Sequence, residues 1–177
     1  MTKAPRKRQR EANAEGVFPR SAARLAAVQA LYQMDRASTD VTTVIAEFTH
    51  QRLPDATTDD PLHGADPQFF ADIVRGVVRR QRDIDPAVDQ TLATGWRLVR
   101  VDSILRAILR AATFELLERS DVPGKVVINE YINVAKAFFS EDEPRVVNGV
   151  LDKLAHGYRA GEFADKEPRA SAEKGND

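Results

Sequence analysis

The chain has 177 residues, of which 42% are hydrophobic and 30% are charged, a composition typical of a globular protein. It contains no cysteine, which excludes disulfides, iron–sulfur clusters and cysteine nucleophiles. The net charge of −1 conceals an asymmetry, because residues 1–24 hold seven Lys and Arg against two Glu (+5), whereas the other 153 residues hold 19 basic and 25 acidic side chains (−6). A basic arm on an acidic body suggests contact with nucleic acid.

Polar segments border a central region with helical patterning. Residues 1–18 are basic and aperiodic, and residues 160–177 hold two glycines and a proline among charges, so both are predicted to be disordered tails. The region between them, residues 19–159, is predicted to be the folded domain. No apolar run approaches the roughly 18 residues of a membrane helix, and the N-terminus lacks the apolar segment of a secretory signal. We therefore expect a cytoplasmic protein that does not enter a membrane.

Apolar residues recur at intervals of three and four along the predicted domain, as on one face of an α-helix. The first helix is predicted to begin after Pro19, near Ser21, and the third at Asp66-Pro67, where a capping Asp precedes a proline. Asp85-Pro86 repeats this signal and predicts that a separate fourth helix begins there. The seven predicted helices lie at 20–36, at 41–51, from Pro67, at 86–93, from Asp102, around 128–139 and from Pro144 to Tyr158. No strand pair is predicted, so the fold class is an all-α bundle.

Signatures of nucleotide-dependent, metal-dependent and hydrolytic chemistry are missing from the sequence. It contains no GxxxxGK[ST] or GxGxxG phosphate loop, no HExxH zinc motif and no GxSxG nucleophile elbow. The three histidines, His50, His63 and His156, share no spacing suited to a metal site on one helical face. We therefore predict no catalytic residue, no metal ligand and no cofactor, and a protein that works by binding rather than as an enzyme.

Arg20 and Arg24 lie four residues apart and are therefore expected on one face of the first helix, with Ser21 beside them. Free N–H groups and the helix dipole favour phosphate near a helix N-terminus, so these three residues are candidate RNA-binding residues. The alternative is a solvated helix face. Tyr32 is a candidate for stacking on bases, unless it completes the apolar stripe that includes Val28.

Two further charged clusters are candidate binding sites. Arg79, Arg80 and Arg82 form a second basic cluster, which fits either RNA phosphates or a complement to the dipole at the end of the third helix. Glu141 and Asp142 precede the last predicted helix. They fit either an acidic docking point for a basic partner or the cap of that helix.

Several motifs follow one another in an order and spacing that resemble a known family. These motifs, within about residues 20–158, are RSAAR at 20–24, QALY at 29–32, FADIVRG at 70–76, DVPGKVVINE at 121–130 and VNGVLDK at 147–153. Together they resemble the NusB family of transcription antitermination factors, and the segment from Asp121 to Lys153 is the most specific part of the match. One departure is that Ser21 and Ala22 interrupt the run of arginines that often opens the family's first helix.

The resemblance implies a seven-helix fold built from two small helical subdomains. It also implies binding to boxA RNA of ribosomal RNA leader transcripts together with NusE, a ribosomal small-subunit protein, and assembly of the antitermination complex on RNA polymerase. By position, the family's RNA-binding residues fall on Arg20, Ser21, Arg24 and Tyr32. Its contacts with NusE and RNA fall on Glu141, Asp142, Arg145 and Val146.

Two other functions stay open from the sequence. A similar helical domain precedes the catalytic part of some RNA cytosine methyltransferases, so one alternative is a helical RNA-binding domain associated with rRNA methyltransferase-type proteins. The absence of cysteine excludes the catalytic role itself. The second alternative is a helical adaptor that binds only proteins. The sequence also leaves open whether the protein is a monomer or a homodimer.

Overall fold

The computed structural model describes the backbone of residues 6–164 and the side chains from Phe18 onward. This part of the chain forms seven α-helices: α1 (Arg6–Ala37), α2 (Val41–Glu47), α3 (Pro67–Thr91), α4 (Ser103–Glu118), α5 (Gly124–Phe138), α6 (Glu143–Tyr158) and α7 (Ala160–Phe163). A π-helical turn, Phe48–Arg52, continues α2. No strand occurs in the described residues, and the predicted all-α fold is confirmed. None of these helices is long and apolar enough to cross a membrane.

The central helix of the bundle is α4, which packs against α1, α3, α5 and α6. Its sequence explains this position, because buried residues occupy most sites from Leu105 to Leu116 rather than a single stripe. A helix that is apolar nearly all round requires neighbours on several sides. At the contact with α3, Gly76 allows a close approach, since a Cβ at that position would lie 2.1 Å from the ring of Phe114.

Aspartates cap two helices at the predicted positions. The carboxylate of Asp66 accepts hydrogen bonds from the backbone N–H groups of Gln68 and Phe69, both at 3.0 Å. Asp102 caps α4 through the N–H group of Ile104 at 2.7 Å. Both predicted helix starts are therefore confirmed, because these side chains satisfy N–H groups that have no partner within the helix.

The predicted helix break at Asp85-Pro86 is wrong, because α3 continues through this point. Asp85 does not cap a helix; its carboxylate accepts two hydrogen bonds from the guanidinium of Arg110 on α4, each 2.9 Å long. Ile84 and Val88 are buried on either side of Pro86, which is itself exposed. Packing of this apolar face outweighs the backbone hydrogen bond that the proline removes.

The first helix begins at Arg6 rather than near Ser21, and Pro19 lies inside it. The preceding residues are mostly Arg, Lys, Gln, Glu and Ala, which favour a helix without forming an apolar stripe, so periodicity missed them. The carbonyl of Pro19 accepts a hydrogen bond from the backbone N–H of Asp66 at 2.9 Å, which ties α1 to the start of α3. Ser21 is therefore in the body of a helix and not at its N-terminus.

The two predicted tails differ from the structure where it describes them. In residues 1–18 the backbone is helical from Arg6 onward. In residues 160–177, α7 adds a helical turn whose Phe163 packs against the core, so the folded chain extends past the predicted boundary. The first five and the last thirteen residues lie outside the described part, and the tail predictions for them are untested.

One arginine fixes the end of α4 and the turn that follows it. The guanidinium of Arg159, at the end of α6, donates hydrogen bonds at 2.8–3.1 Å to the backbone carbonyls of Glu115, Leu116, Arg119 and Val122. Its side chain also bonds Glu162 at 2.6 Å, and Glu162 in turn accepts from the N–H of Gly124 at 2.6 Å. These bonds add partners for carbonyls in the last turn of α4 and in the turn that follows it, and they hold the α4–α5 turn in place.

Candidate nucleic-acid interface

Arg24 points into the bundle and not to the solvent. Only 2% of the residue is exposed, and its Nε and Nη2 atoms donate hydrogen bonds of 2.8 and 2.9 Å to the carboxylate of Glu115 on α4, which is fully buried. The carboxylate of Glu130 on α5 lies 3.8 Å from the same guanidinium. The charge of Arg24 is thus used inside the protein, and the prediction that Arg24 binds RNA stays untested.

Burial and ion pairing shift the pKa of Arg24 in opposite directions. Burial lowers the pKa of Arg24, but hydrogen bonding to Glu115 and the charge of that carboxylate outweigh burial and raise the pKa overall. Tyr131 is fully buried beside the pair, and burial followed by the charge of Glu115 raises its pKa well above the ordinary value. Arg24 therefore stays charged in the core, with a neutral tyrosine next to it.

Ser21 connects the buried pair to the surface. Its hydroxyl donates to the carboxylate of Glu130, at 2.9 Å from either oxygen, and Glu130 also faces Arg24. Ser21 is half-buried, and it joins α1 to α5. The predicted RNA-binding serine is therefore near the surface, but its hydroxyl holds a carboxylate.

Arg20 is the arginine of the RSAAR segment that reaches solvent. Its guanidinium stacks on the ring of Phe69, 4.7 Å from the centroid, and its Nη1 atom lies 3.5 Å from Asp121. Arg119 shares both partners, at 4.9 Å from the Phe69 centroid and 3.0 Å from Asp121. Burial raises the pKa of Asp121, but Arg119 and then Arg20 outweigh burial and lower it. The guanidinium of Arg20 thus lies over an aromatic ring, and its side chain is 39% exposed and therefore open to ligands.

Tyr32 lies at the surface, with 36% of the residue exposed, so the alternative that it completes the core stripe is wrong. It lines an open groove of about 470 Å³ between α1, the end of α2, α4 and α5. The groove has apolar and basic walls, and its other lining residues include Val28, Gln29, Arg36, Arg52, Ile104 and Phe138. A tyrosine face in such a groove is able to stack on a base or to pack against an apolar side chain.

The second basic cluster lies in the middle of α3. Both Arg79 and Arg80 bind the carboxylate of Glu118, the last residue of α4, and Arg80 also bonds Asp83 at 2.9 Å. Arg82 is exposed. Because α3 continues to Thr91, these arginines do not lie at a helix C-terminus, and the alternative that they complement its dipole is wrong.

The candidate partner segment spans the turn between α5 and α6 and the first turn of α6. Glu141, Asp142 and Arg145 are exposed, and Val146 is half-buried against the core. Asp142 occupies the cap position of α6, but its side chain makes no capping hydrogen bond, so the interpretation as a cap does not account for its carboxylate.

An exposed tryptophan beside this segment was missed by the sequence reasoning. Trp96, with 43% of the residue exposed, lines a groove of about 280 Å³ together with Glu143 of α6. The sequence did offer a signal for it. Trp96 is a large apolar residue between Gly95 and Arg97 in a predicted turn, and loop residues are seldom buried in the core. The groove extends the surface of the candidate partner segment.

The two basic clusters meet at one end of the central helix. Arg79 and Arg80 of α3 contact Glu118, whereas Arg20 of α1 contacts Asp121 just beyond it. Arg119 lies between these two carboxylates in sequence and was not predicted as a site residue. Arginines from α1 and α3 therefore meet residues 118–121, which include a further arginine, Arg119. Tyr32 lies about 18 Å from Arg20 along α1 at 1.5 Å per residue.

In its described residues, the protein is thus a bundle of seven helices whose arginines gather at the end of the central helix. In the described residues, no group of three or more His, Asp or Glu side chains is placed to hold a metal ion. A model of the NusB family matches residues 21–156. The chain therefore belongs to the NusB family, as the sequence motifs predicted.

Relatives and solved structures agree with this assignment. The chain is 55% identical over 140 residues to the transcription antitermination protein NusB of Allorhizobium ampelinum, covering 79% of this chain and 88% of that protein. It is 54% identical over 140 residues to the same protein of Agrobacterium fabrum, covering 79% and 85%. The fold matches the NusB structure of T. maritima with a TM-score of 0.67 at 28% identity, covering 82% of this chain and 96% of that chain.

Proposed function

We propose that this transcription antitermination protein binds boxA RNA of ribosomal RNA leader transcripts together with NusE, and thereby helps to assemble the antitermination complex on RNA polymerase in the cytoplasm. The observation that carries the proposal is the gathering of Arg20, Arg79 and Arg80 around the end of α4. Guanidinium groups on a surface are suited to phosphate, and phosphate contacts dominate the affinity of proteins for nucleic acid. Membership of a family of antitermination proteins supports the same function.

RNA contact in this proposal divides between charge and stacking. Arg20 meets a phosphate while its guanidinium lies over the ring of Phe69, and Ser21 and Glu130 join α1 to α5 beside it. Tyr32 stacks on a base or packs against the partner in its groove. Arg24 has no direct contact and supports the surface from below.

The protein partner meets the acidic segment in this proposal. Glu141 and Asp142 present carboxylates that attract a basic ribosomal protein, and Arg145 and Val146 follow them in the first turn of α6. Trp96 in the adjacent groove supplies the aromatic side chain that protein interfaces favour at their centre. RNA and NusE thus use different parts of the molecule.

The proposal is tested by measuring fluorescence anisotropy of a labelled boxA-like RNA and a scrambled RNA, with and without NusE, at low and moderate salt. We expect a preference for the boxA-like RNA that NusE strengthens, and an affinity that falls with salt. Arg20→Glu should cost on the order of 1–3 kcal/mol of RNA binding, the scale of charge-assisted hydrogen bonds.

The matched control is Lys153→Glu, which makes the same charge change at an exposed site on α6 and should bind RNA nearly as the unchanged protein does. Equal binding of the two RNAs in every condition would contradict the proposal. A protein-only adaptor would keep its partner binding in Arg20→Glu and show no RNA affinity to lose. An RNA methyltransferase function would require methyl transfer to ribosomal RNA in the presence of a methyl donor.

A further inference from the structure

Glu118 holds two arginines of the candidate RNA surface with a single carboxylate. Its Oε1 atom accepts a hydrogen bond of 2.6 Å from Nη1 of Arg80, and its Oε2 atom accepts one from Nη2 of Arg79. Each oxygen therefore has its own guanidinium. Arginines bind a phosphate in the same way, with each guanidinium group donating to a different non-bridging oxygen of the anion.

We propose that Glu118 occupies an anion site formed by Arg79 and Arg80, and that a phosphate of the RNA backbone displaces it when RNA binds. Glu118 is then an internal competitor that weakens RNA affinity in the free protein. This inference rests on the proposed function, because it assumes that RNA reaches the end of α4. Glu118 is then an acidic residue that regulates a surface whose other proposed RNA contacts are basic or aromatic side chains.

The position of Glu118 on its helix supports this role. It is the last residue of α4, where the negative end of the helix dipole disfavours a carboxylate. The helix therefore does not hold the charge of Glu118 in place, and the hydrogen bonds from Arg79 and Arg80 do. A phosphate that displaces Glu118 from the two arginines therefore does not have to overcome a favourable interaction between Glu118 and the dipole of α4.

The exposure of these side chains permits the exchange. The side chain of Arg79 is 59% exposed, that of Arg80 33% and that of Glu118 27%, so solvent and ligands reach all three groups. Ion pairs at a surface are weak because water and salt screen them. The pair of Arg24 and Glu115 has the same chemistry but is buried, and it offers no comparable exchange.

Neighbouring charges favour an anion once Glu118 has moved away. Arg75 and Arg82 are exposed on α3, one turn before Arg79 and within one turn after it. Asp83 opposes them, but it binds Arg80 at a different nitrogen, Nε, from the Nη1 atom that Glu118 uses. The Nη1 atom of Arg80 and the Nη2 atom of Arg79 are thus the donors that displacement makes available.

The test is the variant Glu118→Gln in the full chain, titrated with a boxA-like RNA and with a scrambled RNA at several salt concentrations. Glutamine keeps the size of the side chain and removes its charge. We expect RNA affinity to rise by about 3- to 10-fold at low salt, with a log–log salt slope steeper by about 0.7 for each added phosphate contact to single-stranded RNA. The gain should be similar for both RNAs, since phosphate contacts do not read sequence.

Two controls separate this effect from a general change of charge. Asp152→Asn removes one negative charge at an exposed site on α6 and should leave affinity and slope nearly unchanged. Adding Arg79→Ala and Arg80→Ala to Glu118→Gln should abolish the gain. Thermal unfolding of each variant checks that the bundle is intact.

The outcomes distinguish this inference from the proposed function. If the unchanged protein prefers boxA RNA and Glu118→Gln has the same or a lower affinity with the same slope, the inference is wrong and the function stands. If Glu118→Gln gains affinity but neither protein prefers boxA RNA, the anion site stands and boxA recognition does not. If no variant binds either RNA, both fall.

Discussion

Arg20 and Arg24 lie on the same helix, four residues apart, yet one contacts solvent and the other is buried. Spacing alone places both on one face of α1, and it does not reveal that α4 covers the second of them. A signal was present in the sequence. Glu115 lies between Phe114 and Leu116 in a nearly continuous apolar run, and a carboxylate in such a run needs a buried cation.

The buried ion pair of Arg24 and Glu115 allows a prediction about stability. Arg24→Met should lower the free energy of unfolding by about 3–5 kcal/mol, because it leaves the charge of Glu115 buried without its partner. The double variant Arg24→Met with Glu115→Met should lose less than the sum of the two single variants, since no unpaired charge remains. Urea unfolding followed by circular dichroism measures these differences.

An exposed pair of the same type provides the comparison. Arg20→Met removes an arginine that is partly solvated and lies 3.5 Å from Asp121, and it should change stability by no more than about 1 kcal/mol. If Arg24→Met proves as mild as Arg20→Met, the buried pair does not have the structural role assigned to it. RNA affinity should respond in the opposite order, with the larger loss at Arg20.

At the scale of helices, periodic segments were predictable and segment ends were only partly so. The starts of α3 and α4 followed from the capping residues Asp66 and Asp102, whose bonds are local. Asp85-Pro86 carries the same local signal, but Arg110 takes the carboxylate and the apolar face continues past the proline. A local pattern cannot indicate which of these competing partners a side chain finds.

Two glycines with opposite surroundings test the packing of the helices. Gly76 lies at the contact between α3 and α4, and Gly149, on the surface of α6, is the control. A methyl group at Gly76 would overlap the ring of Phe114, so Gly76→Ala should destabilise the protein by about 1–3 kcal/mol. Gly149 on α6 is exposed and has open space around it. Gly149→Ala should therefore stabilise the protein by about 0.5–1 kcal/mol through reduced backbone entropy in the unfolded chain. Thermal unfolding should give midpoints that move in opposite directions, and a shift of both midpoints in the same direction would contradict the packing described.

Over the whole molecule, the net charge of −1 describes neither the cluster of arginines at the end of α4 nor the acidic turn between α5 and α6. Among the described residues, Arg20, Arg79 and Arg80 gather at the end of α4, but each faces a carboxylate there. Glu141 and Asp142 lie in a different turn, between α5 and α6. The sequence shows an excess of basic residues in residues 1–24 and an acidic segment at Glu141 and Asp142, because composition is a local property. It did not indicate the internal neutralisation of the arginines, because Glu118 and Asp121 reach them only through the fold.

Chemical-shift mapping of the backbone amides, with boxA-like RNA added before and after NusE, tests the central claim most directly. We expect RNA to shift a continuous group of resonances around Arg20 and residues 118–121, and NusE then to shift those around Glu141 and Asp142. Resonances of Asp152 and Lys153, on the exposed face of α6, should stay in place in both steps. Shifts confined to that face, or the same weak shifts with a scrambled RNA, would contradict the proposed function.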